Sequence, residues 1–202
     1  MTNAEQTAAA LDHAAVADSG GSTTHLPGDK DMWVFVLGDL IIFGSYFLIF
    51  MVYRHQHHAL FLDSQRQLNL TVGVINTLLL LTSSWFIARG VQASRVRDYD
   101  RAVRLTVSGG LCGALFLLLK IYEWSTKITA GLTFSHNEFF MFYYLLTGVH
   151  VFHVALGLVF LGVVFVNLGD PKNRRISTVE TGATYWHMVD LLWVVIFALV
   201  YV

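Results

Sequence analysis

The chain has 202 residues, of which 55% are hydrophobic and only 13% are charged. A soluble domain carries about 25% charged residues, so roughly half of the expected charge is missing. Thirteen lysines and arginines face 14 aspartates and glutamates, which leaves no basic surplus for binding nucleic acid. The single cysteine, Cys112, excludes an internal disulfide. The composition therefore excludes an ordinary soluble domain and predicts an integral membrane protein.

The first segment, residues 1–31, is acidic and rich in alanine, serine, threonine and glycine. A secretory signal needs a basic start followed by an apolar core, and this segment has neither. We expect a mobile tail with a helix over residues 5–16.

Five apolar stretches follow the tail, and each is long enough to cross about 30 Å of hydrocarbon as a helix. Strands of a membrane barrel alternate between apolar and polar residues, whereas these stretches are apolar on all faces. The predicted fold is an all-α, polytopic bundle of five transmembrane helices. The predicted spans are residues 32–53, 70–91, 105–124, 139–168 and 183–202.

Positive residues predict the orientation of this bundle, because they are enriched on the cytoplasmic side of a membrane. Nine of the 13 lysines and arginines lie on the side of the N-terminus and four on the other side. We therefore expect the N-terminus in the cytoplasm and the C-terminus outside. Trp33, Trp124 and Tyr201 are expected at the membrane interfaces, where aromatic belts form.

Several ionisable residues fall inside the spans, where an ionisable side chain indicates function. Asp39 and Asp190 each lie seven residues into spans that run in the same direction. His153 in the fourth span reaches a similar depth at 1.5 Å per residue. His150 and His187 lie one helical turn away on the same faces as His153 and Asp190. We expect a polar layer in the cytoplasmic half of the membrane.

On the other side of the membrane, Lys120 and Glu123 form a second pair at helical spacing, near the end of the third span.

Three interpretations of this layer remain open. The residues form a buried hydrogen-bonded network that fixes helix register, they handle protons or lipid headgroups, or they bind a metal or haem. Two histidines on separate helices can hold a b-type haem, and His150 or His153 with His187 would be the candidates. The repeated Glu-x-x-His motif of carboxylate-bridged metal bundles is missing, so we predict no metal site. The cluster of His55, His57 and His58 is expected to be a solvated loop.

Small residues within the spans indicate close helix contacts. Gly109 and Gly113 form the small-xxx-small pattern that lets helix backbones approach. Gly148 and Gly157 are expected to act in the same way, and three polar residues of the second span are expected to form interhelical hydrogen bonds: Asn76, Ser83 and Ser84.

Four segments, taken in order, resemble the haem-copper oxidase subunit III family. Residues 185–193, Tyr-Trp-His-Met-Val-Asp-Leu-Leu-Trp, look like the family signature Tyr-Trp-His-Phe-Val-Asp-x-x-Trp. Residues 148–154 resemble Gly-x-His-x-x-His-Val, residues 119–124 resemble the Glu-Tyr region, and residues 76–84 resemble the second-span pattern. The resemblance covers residues 32–202 and all five spans.

One departure separates this chain from conventional oxidase members. In the first span, conventional members have a dipeptide that resembles Ser-Glu, where this chain has Gly38 and Asp39. Residues 27–39 look closer to the branch that accompanies nitric oxide reductases.

The resemblance implies a non-catalytic subunit in the cytoplasmic (inner) membrane of a bacterium. It would bind no haem or copper itself. It would pack against catalytic subunit I, which carries haem and either copper or non-haem iron, hold phospholipid in a cleft, and support assembly, sustained turnover and proton uptake. Six residues carried over by position would form the polar network and line the lipid cleft: Asp39, Glu123, His150, His153, His187 and Asp190. Alternatives of another class are a free-standing membrane b-type cytochrome and a small proton-coupled transporter.

Overall fold

The computed structural model describes residues 30–171 and 174–202. Within these residues the chain forms six helices, and five of them are long and apolar enough to cross a membrane. The predicted all-helical fold with five membrane-spanning helices is confirmed. The predicted helix over residues 5–16 lies outside the described residues. The helices are α1 (Lys30–Gln56), α2 (His58–Arg66), α3 (Leu70–Arg95), α4 (Tyr99–Thr129), α5 (Glu138–Gly169) and α6 (Ile176–Tyr201).

The short helix α2 occupies the region that we expected to be a solvated histidine loop. Helix α1 continues to Gln56 and α2 begins two residues later, at His58. One face of α2 is buried because the ring of Phe61 packs 5.4 Å from that of Phe50 and 5.6 Å from that of Phe139. The nine residues of α2 include a run of only four apolar ones, residues 59–62, which is too short to predict such a helix from length and hydropathy.

Asparagine and aspartate side chains fix where three of the long helices begin. In the first turns of α3, α4 and α5, backbone N–H groups donate hydrogen bonds to a side-chain oxygen of the preceding residue: Asn69, Asp98 and Asn137, respectively. Such caps satisfy donors that a helix N-terminus otherwise leaves unpaired. They allow each helix to start after a short connection.

Helix α6 lies at the centre of the bundle, where it packs against α1, α3 and α5, while α3 packs chiefly against α4. Over its most apolar 18-residue window, α6 has 56% of its residues buried, whereas α1 has 17%. The core therefore lies between α3, α4, α5 and α6. Helix α1 is peripheral and leaves one apolar face uncovered within the described chain.

The indole of Trp186 joins four helices at the centre of this core. A Cβ atom on Gly113 of α4 would lie 2.5 Å from the indole, and one on Gly157 of α5 would lie 2.8 Å from it. The indole Nε1 donates to Ser83 Oγ at 3.0 Å, and Ser83 Oγ donates to the Gly109 carbonyl at 2.7 Å. Glycine at positions 113 and 157 is therefore what admits the indole between α4 and α5.

Two other residues expected at helix contacts behave differently. A Cβ on Gly148 would meet only Trp124, at an ordinary 3.9 Å. The buried Asn76 side chain makes no hydrogen bond to any part of the chain that the structure describes. A glycine or an asparagine in a span thus does not by itself identify a close contact or an interhelical hydrogen bond.

A candidate polar site between the membrane-spanning helices

A fully buried charged group joins α4, α5 and α6. The Lys120 ammonium donates to Glu123 Oε2 at 3.0 Å, to Tyr143 Oη at 3.2 Å and to Tyr201 Oη at 2.7 Å. The Tyr201 hydroxyl donates in turn to the Glu123 carboxylate, 2.7 Å from Oε1. We call these four residues the lysine cluster.

The lysine cluster leaves little unused hydrogen-bonding capacity. The Lys120 and Glu123 side chains are 0% and 2% exposed, and the three ammonium donors match the three oxygen partners. The ammonium also lies 4.7 Å from the ring centroid of Tyr143 and 5.3 Å from that of Trp193, so aromatic faces stabilise the cation. Because a buried charge is tolerated when it is paired and hydrogen-bonded, this cluster can connect helices without a ligand.

A second polar contact joins α1 to α5. His153 Nε2 lies 3.2 Å from Asp39 Oδ2, and the two side chains are about one-tenth exposed, at 10% and 11%. His153 Nδ1 lies 2.8 Å from the Val149 carbonyl oxygen. Since a carbonyl oxygen only accepts, Nδ1 carries the proton and Nε2 faces Asp39. The pair can therefore share one proton between imidazole and carboxyl.

The Asp39–His153 contact opens on an apolar pocket of about 240 Å³ between α1 and α5. Ile42, Phe43 and Leu146 are among the residues that line it. The contact thus lies beside space that can admit a lipid chain or water, unlike the lysine cluster.

A third polar group lies between α3 and α6. His187 Nδ1 lies 2.6 Å from Ser84 Oγ and 3.8 Å from Asp190 Oδ2. The Asp190 side chain is 6% exposed, and neither of its carboxylate oxygens has a hydrogen-bond partner within residues 30–171 and 174–202. His187 is 40% exposed and borders a groove of about 370 Å³ between α1 and α6 that includes Trp33.

The register of α5 and α6 relates these two contacts in depth. The rings of His150 and Trp193 lie 5.2 Å apart on antiparallel helices. His153 lies one turn after His150, and Asp190 lies one turn before Trp193. Because the two helices are antiparallel, both steps lead toward the side of the membrane where the N-terminus lies, so His153 and Asp190 have similar depth. We call Asp39, His153, His187 and Asp190 the carboxylate–histidine layer.

The six residues carried over from the family resemblance form separate groups rather than one continuous network. Across the described residues, no hydrogen bond or ion pair joins the Asp39 contact to the His187 contact, or either of them to Glu123. His150 is fully buried beside the rings of Phe116 and Trp193, and neither of its ring nitrogens has a hydrogen-bond partner in the described chain. Aromatic rings therefore separate polar residues that the sequence places close together.

The aromatic packing around His150 also disfavours the haem alternative. The His150 ring fills a site between two aromatic rings, so haem ligation there would require the core to repack. In the portion of the chain with described coordinates, no group of three or more histidine, cysteine, aspartate or glutamate side chains is arranged to hold a metal ion.

Sequence reasoning missed several contributors to these groups. We expected Tyr201 in an interfacial aromatic belt, but it is 5% exposed and directs its hydroxyl into the lysine cluster. Tyr143 was not predicted, because nothing distinguishes it within a span rich in phenylalanine and tyrosine. The predicted interhelical hydrogen bond of Ser84 is confirmed, but its partner, His187, lies 103 positions away and was not predicted. Local sequence carries no signal for contacts at that separation.

This helical membrane protein is similar to proteins of a known family. Residues 29–202 match the family described as cytochrome c oxidase subunit III. Cytochrome c oxidase subunit 3 of Thermostichus vulcanus is 30% identical over 172 residues, which cover 84% of each chain. Cytochrome bo(3) ubiquinol oxidase subunit 3 of Pseudomonas aeruginosa is 26% identical over 195 residues, covering 94% of this chain and 89% of that one.

A third relative is a fused protein. Heme-copper oxidase subunit I+III of Aeropyrum pernix is 30% identical over 199 residues, or 90% of this chain, but this chain spans only 24% of that protein. The fold and these matches define a multi-pass membrane protein of the oxidase accessory class. The chain belongs to the cytochrome c oxidase subunit III family, as the resemblance of its motifs indicates.

Proposed function

We propose that this chain is a non-catalytic subunit of a haem-copper respiratory complex in a bacterial inner membrane. The match to the subunit III family over residues 29–202 is the observation that carries this proposal. In this proposal the partner is catalytic subunit I, which holds the haem and the second metal and performs electron transfer. Our chain supplies packing, phospholipid sites and support for sustained turnover, with its N-terminus in the cytoplasm.

Two observations favour a partner of the subunit I type. The relative from Aeropyrum pernix bears the name of subunits I and III together, so the two kinds of subunit form a single polypeptide in that protein. Helix α1 also exposes an apolar stripe with a seven-residue spacing, formed by Val34, Ile41 and Leu48. Such a stripe suits burial against another membrane helix or against lipid.

The two types of polar group support different roles. The saturated hydrogen bonding of the lysine cluster favours a role in holding the subunit together for assembly. The carboxylate–histidine layer has unsatisfied carboxylate oxygens and borders apolar pockets. We therefore assign it the functional role, which is to hold protons or polar lipid groups that keep the partner active.

Co-purification tests this proposal. The tagged chain is recovered from native membranes in mild detergent, and the eluate is examined by subunit identification and by its reduced-minus-oxidised visible spectrum. We expect a haem-bearing catalytic subunit to co-elute. A lone chain without haem would contradict the proposal and favour a transporter, to be tested by proton-coupled flux in liposomes. A lone chain with haem would favour a free-standing b-type cytochrome.

An accessory role beside nitric oxide reductase is the second candidate, and the Gly38-Asp39 pair in place of Ser-Glu favours it. The same eluate distinguishes the two candidates. Oxygen consumption would place the chain with an oxidase, whereas nitric oxide consumption together with non-haem iron would place it with a nitric oxide reductase.

A further inference from the structure

A charged pocket lies apart from the polar groups described above. It has a volume of about 580 Å³ and lies between the first turns of α4 and the end of α5, on the side of the membrane where most positive residues are found. Its lining includes Tyr99, Asp100, Arg104, Leu168 and Arg174. We call it the headgroup pocket.

One of its two guanidinium groups is held in place. Arg174 Nε donates to the Leu168 carbonyl at 2.9 Å, and its guanidinium carbon lies 4.0 Å from the ring centroid of Tyr99. Stacking on an aromatic face together with a hydrogen bond restricts a side chain that is otherwise flexible. The positive charge is therefore presented to the pocket at a fixed place.

The other two charged residues have unused capacity. Arg104 and Asp100 are exposed and lie one helical turn apart on α4. Neither side chain forms an ion pair with another residue in the described ranges. The headgroup pocket thus offers two guanidinium groups and one carboxylate to a ligand.

This combination of charges selects the ligand chemistry. Guanidinium groups recognise phosphate oxygens, and a carboxylate accepts hydrogen bonds from an ammonium group. Phosphoethanolamine carries both a phosphate and a primary ammonium. A headgroup with a phosphate but no ammonium, such as phosphoglycerol, would leave the Asp100 carboxylate without a partner. It would also bring the negative phosphate close to that carboxylate.

A neighbouring groove favours a lipid over a soluble phosphate compound. It follows the last turns of α5, has a volume of about 760 Å³ and is lined by Val159, Val163, Phe165 and Val166 among others. Phe165 lies one turn before Leu168 and Gly169, which border the headgroup pocket. An acyl chain in this groove would place its headgroup at the helix ends, where basic pockets between membrane helices bind lipid headgroups.

We propose that the headgroup pocket binds the headgroup of phosphatidylethanolamine, with an acyl chain along the α5 groove. The proposal rests on the phospholipid role proposed above and names one site for it, but the two can fail separately, because lipid binding by this chain and co-purification with a catalytic subunit are different measurements.

Native mass spectrometry of the purified full-length chain in detergent tests it. The chain is titrated with phosphatidylethanolamine, phosphatidylglycerol and phosphatidylcholine, and we expect the tightest binding for phosphatidylethanolamine. Arg104→Gln should weaken binding of the ethanolamine and glycerol lipids about fivefold, the effect of losing one positive charge at a membrane surface. Asp100→Asn should weaken only phosphatidylethanolamine. Arg101→Gln on the same helical turn lies outside the pocket and should change neither.

Three results would overturn the proposal. Arg104→Gln would bind both lipids as the wild type does, or Asp100→Asn would leave the preference for phosphatidylethanolamine unchanged. In the third, glycerophosphoethanolamine or inorganic phosphate would displace the lipid at equal concentration, which would identify a site for soluble phosphate compounds. Arg104 makes no side-chain bond within the described chain, so loss of folding is not expected to obscure the result, and gel filtration of each variant checks this.

Discussion

The lysine cluster and the carboxylate–histidine layer both contain buried ionisable side chains, but they differ in hydrogen bonding. The groups of the cluster are fully hydrogen-bonded, whereas carboxylate oxygens of the layer have no hydrogen-bond partner in the described chain. In the lysine cluster, one ammonium, one carboxylate and two hydroxyls bind one another within 3.2 Å and exclude solvent. In the layer, the carboxylates of Asp39 and Asp190 have a single histidine neighbour each, and Asp39 and His187 border open pockets. Buried charge therefore stabilises this fold where its partners are complete, and is available for function where they are not.

The largest effect should come from breaking the lysine cluster. Glu123→Leu leaves the Lys120 ammonium buried without its counter-charge, and removing one partner of a buried ion pair costs about 3–5 kcal/mol of unfolding free energy. The measurement is SDS titration in mixed micelles followed by circular dichroism. Asp63→Asn, which removes an exposed carboxylate on α2, is the control and should be neutral.

The double variant Lys120→Met with Glu123→Leu sharpens this prediction. It removes both charges, so it should recover much of the lost stability, although the Tyr201 hydroxyl loses its acceptor. If Glu123→Leu were as stable as the wild type, the lysine cluster would not hold the helices together.

The next largest effect should come from the close contact at Trp186. Gly113→Ala puts a methyl group 2.5 Å from the indole, and overpacking of this kind costs about 1–3 kcal/mol. Gly148→Ala is the matched control, because its new methyl group meets only Trp124 at 3.9 Å. Equal melting temperatures for the two variants would contradict the packing described for the core.

A smaller change in stability is expected at the layer. Asp39→Asn keeps the size of the side chain and still offers His153 a hydrogen-bonding group, so its cost should not exceed that of one hydrogen bond, about 0.5–1.5 kcal/mol. The same SDS titration measures it beside Glu123→Leu. A loss as large as that of Glu123→Leu would remove the distinction between the two regions.

The smallest effect sets the scale for an exposed ion pair. Arg95 contacts Glu180 at 2.8 Å, and the Arg95 side chain is 55% exposed. Arg95→Gln should cost about 0.2–1 kcal/mol, with the loss reduced at high salt. A double-mutant cycle with Glu180→Gln isolates the pair, and a coupling above this range would mean that the contact is shielded from solvent.

The parts of the fold that were predictable depend on local properties. Five apolar stretches of sufficient length predict five spanning helices wherever they occur, and the helical spacing of Lys120 and Glu123 predicts their contact. Helix α2 escaped prediction because only one of its apolar residues, Phe61, is deeply buried.

The parts of the site that were not predictable depend on contacts between distant segments. Tyr201 reaches Lys120 across 81 positions, and nothing near Tyr201 in the sequence distinguishes it from an interfacial tyrosine. Equal depth of Asp39 and His153 could be calculated from helical rise, but the aromatic rings that separate His150 from other polar groups follow from side-chain packing. The sequence therefore indicates which residues are polar at which depth, and packing decides which of them meet.

The most direct test of the central claim follows turnover in the co-purified complex with the wild-type chain and with Asp39→Asn. We predict that the variant complex keeps its subunit composition and its haem spectrum, while its activity declines faster during continuous turnover. Asp63→Asn, which makes the same chemical change at an exposed carboxylate on α2, is the matched control and should behave as the wild type. Loss of haem, or turnover identical to that of the wild type, would contradict the claim that this layer supports a catalytic partner.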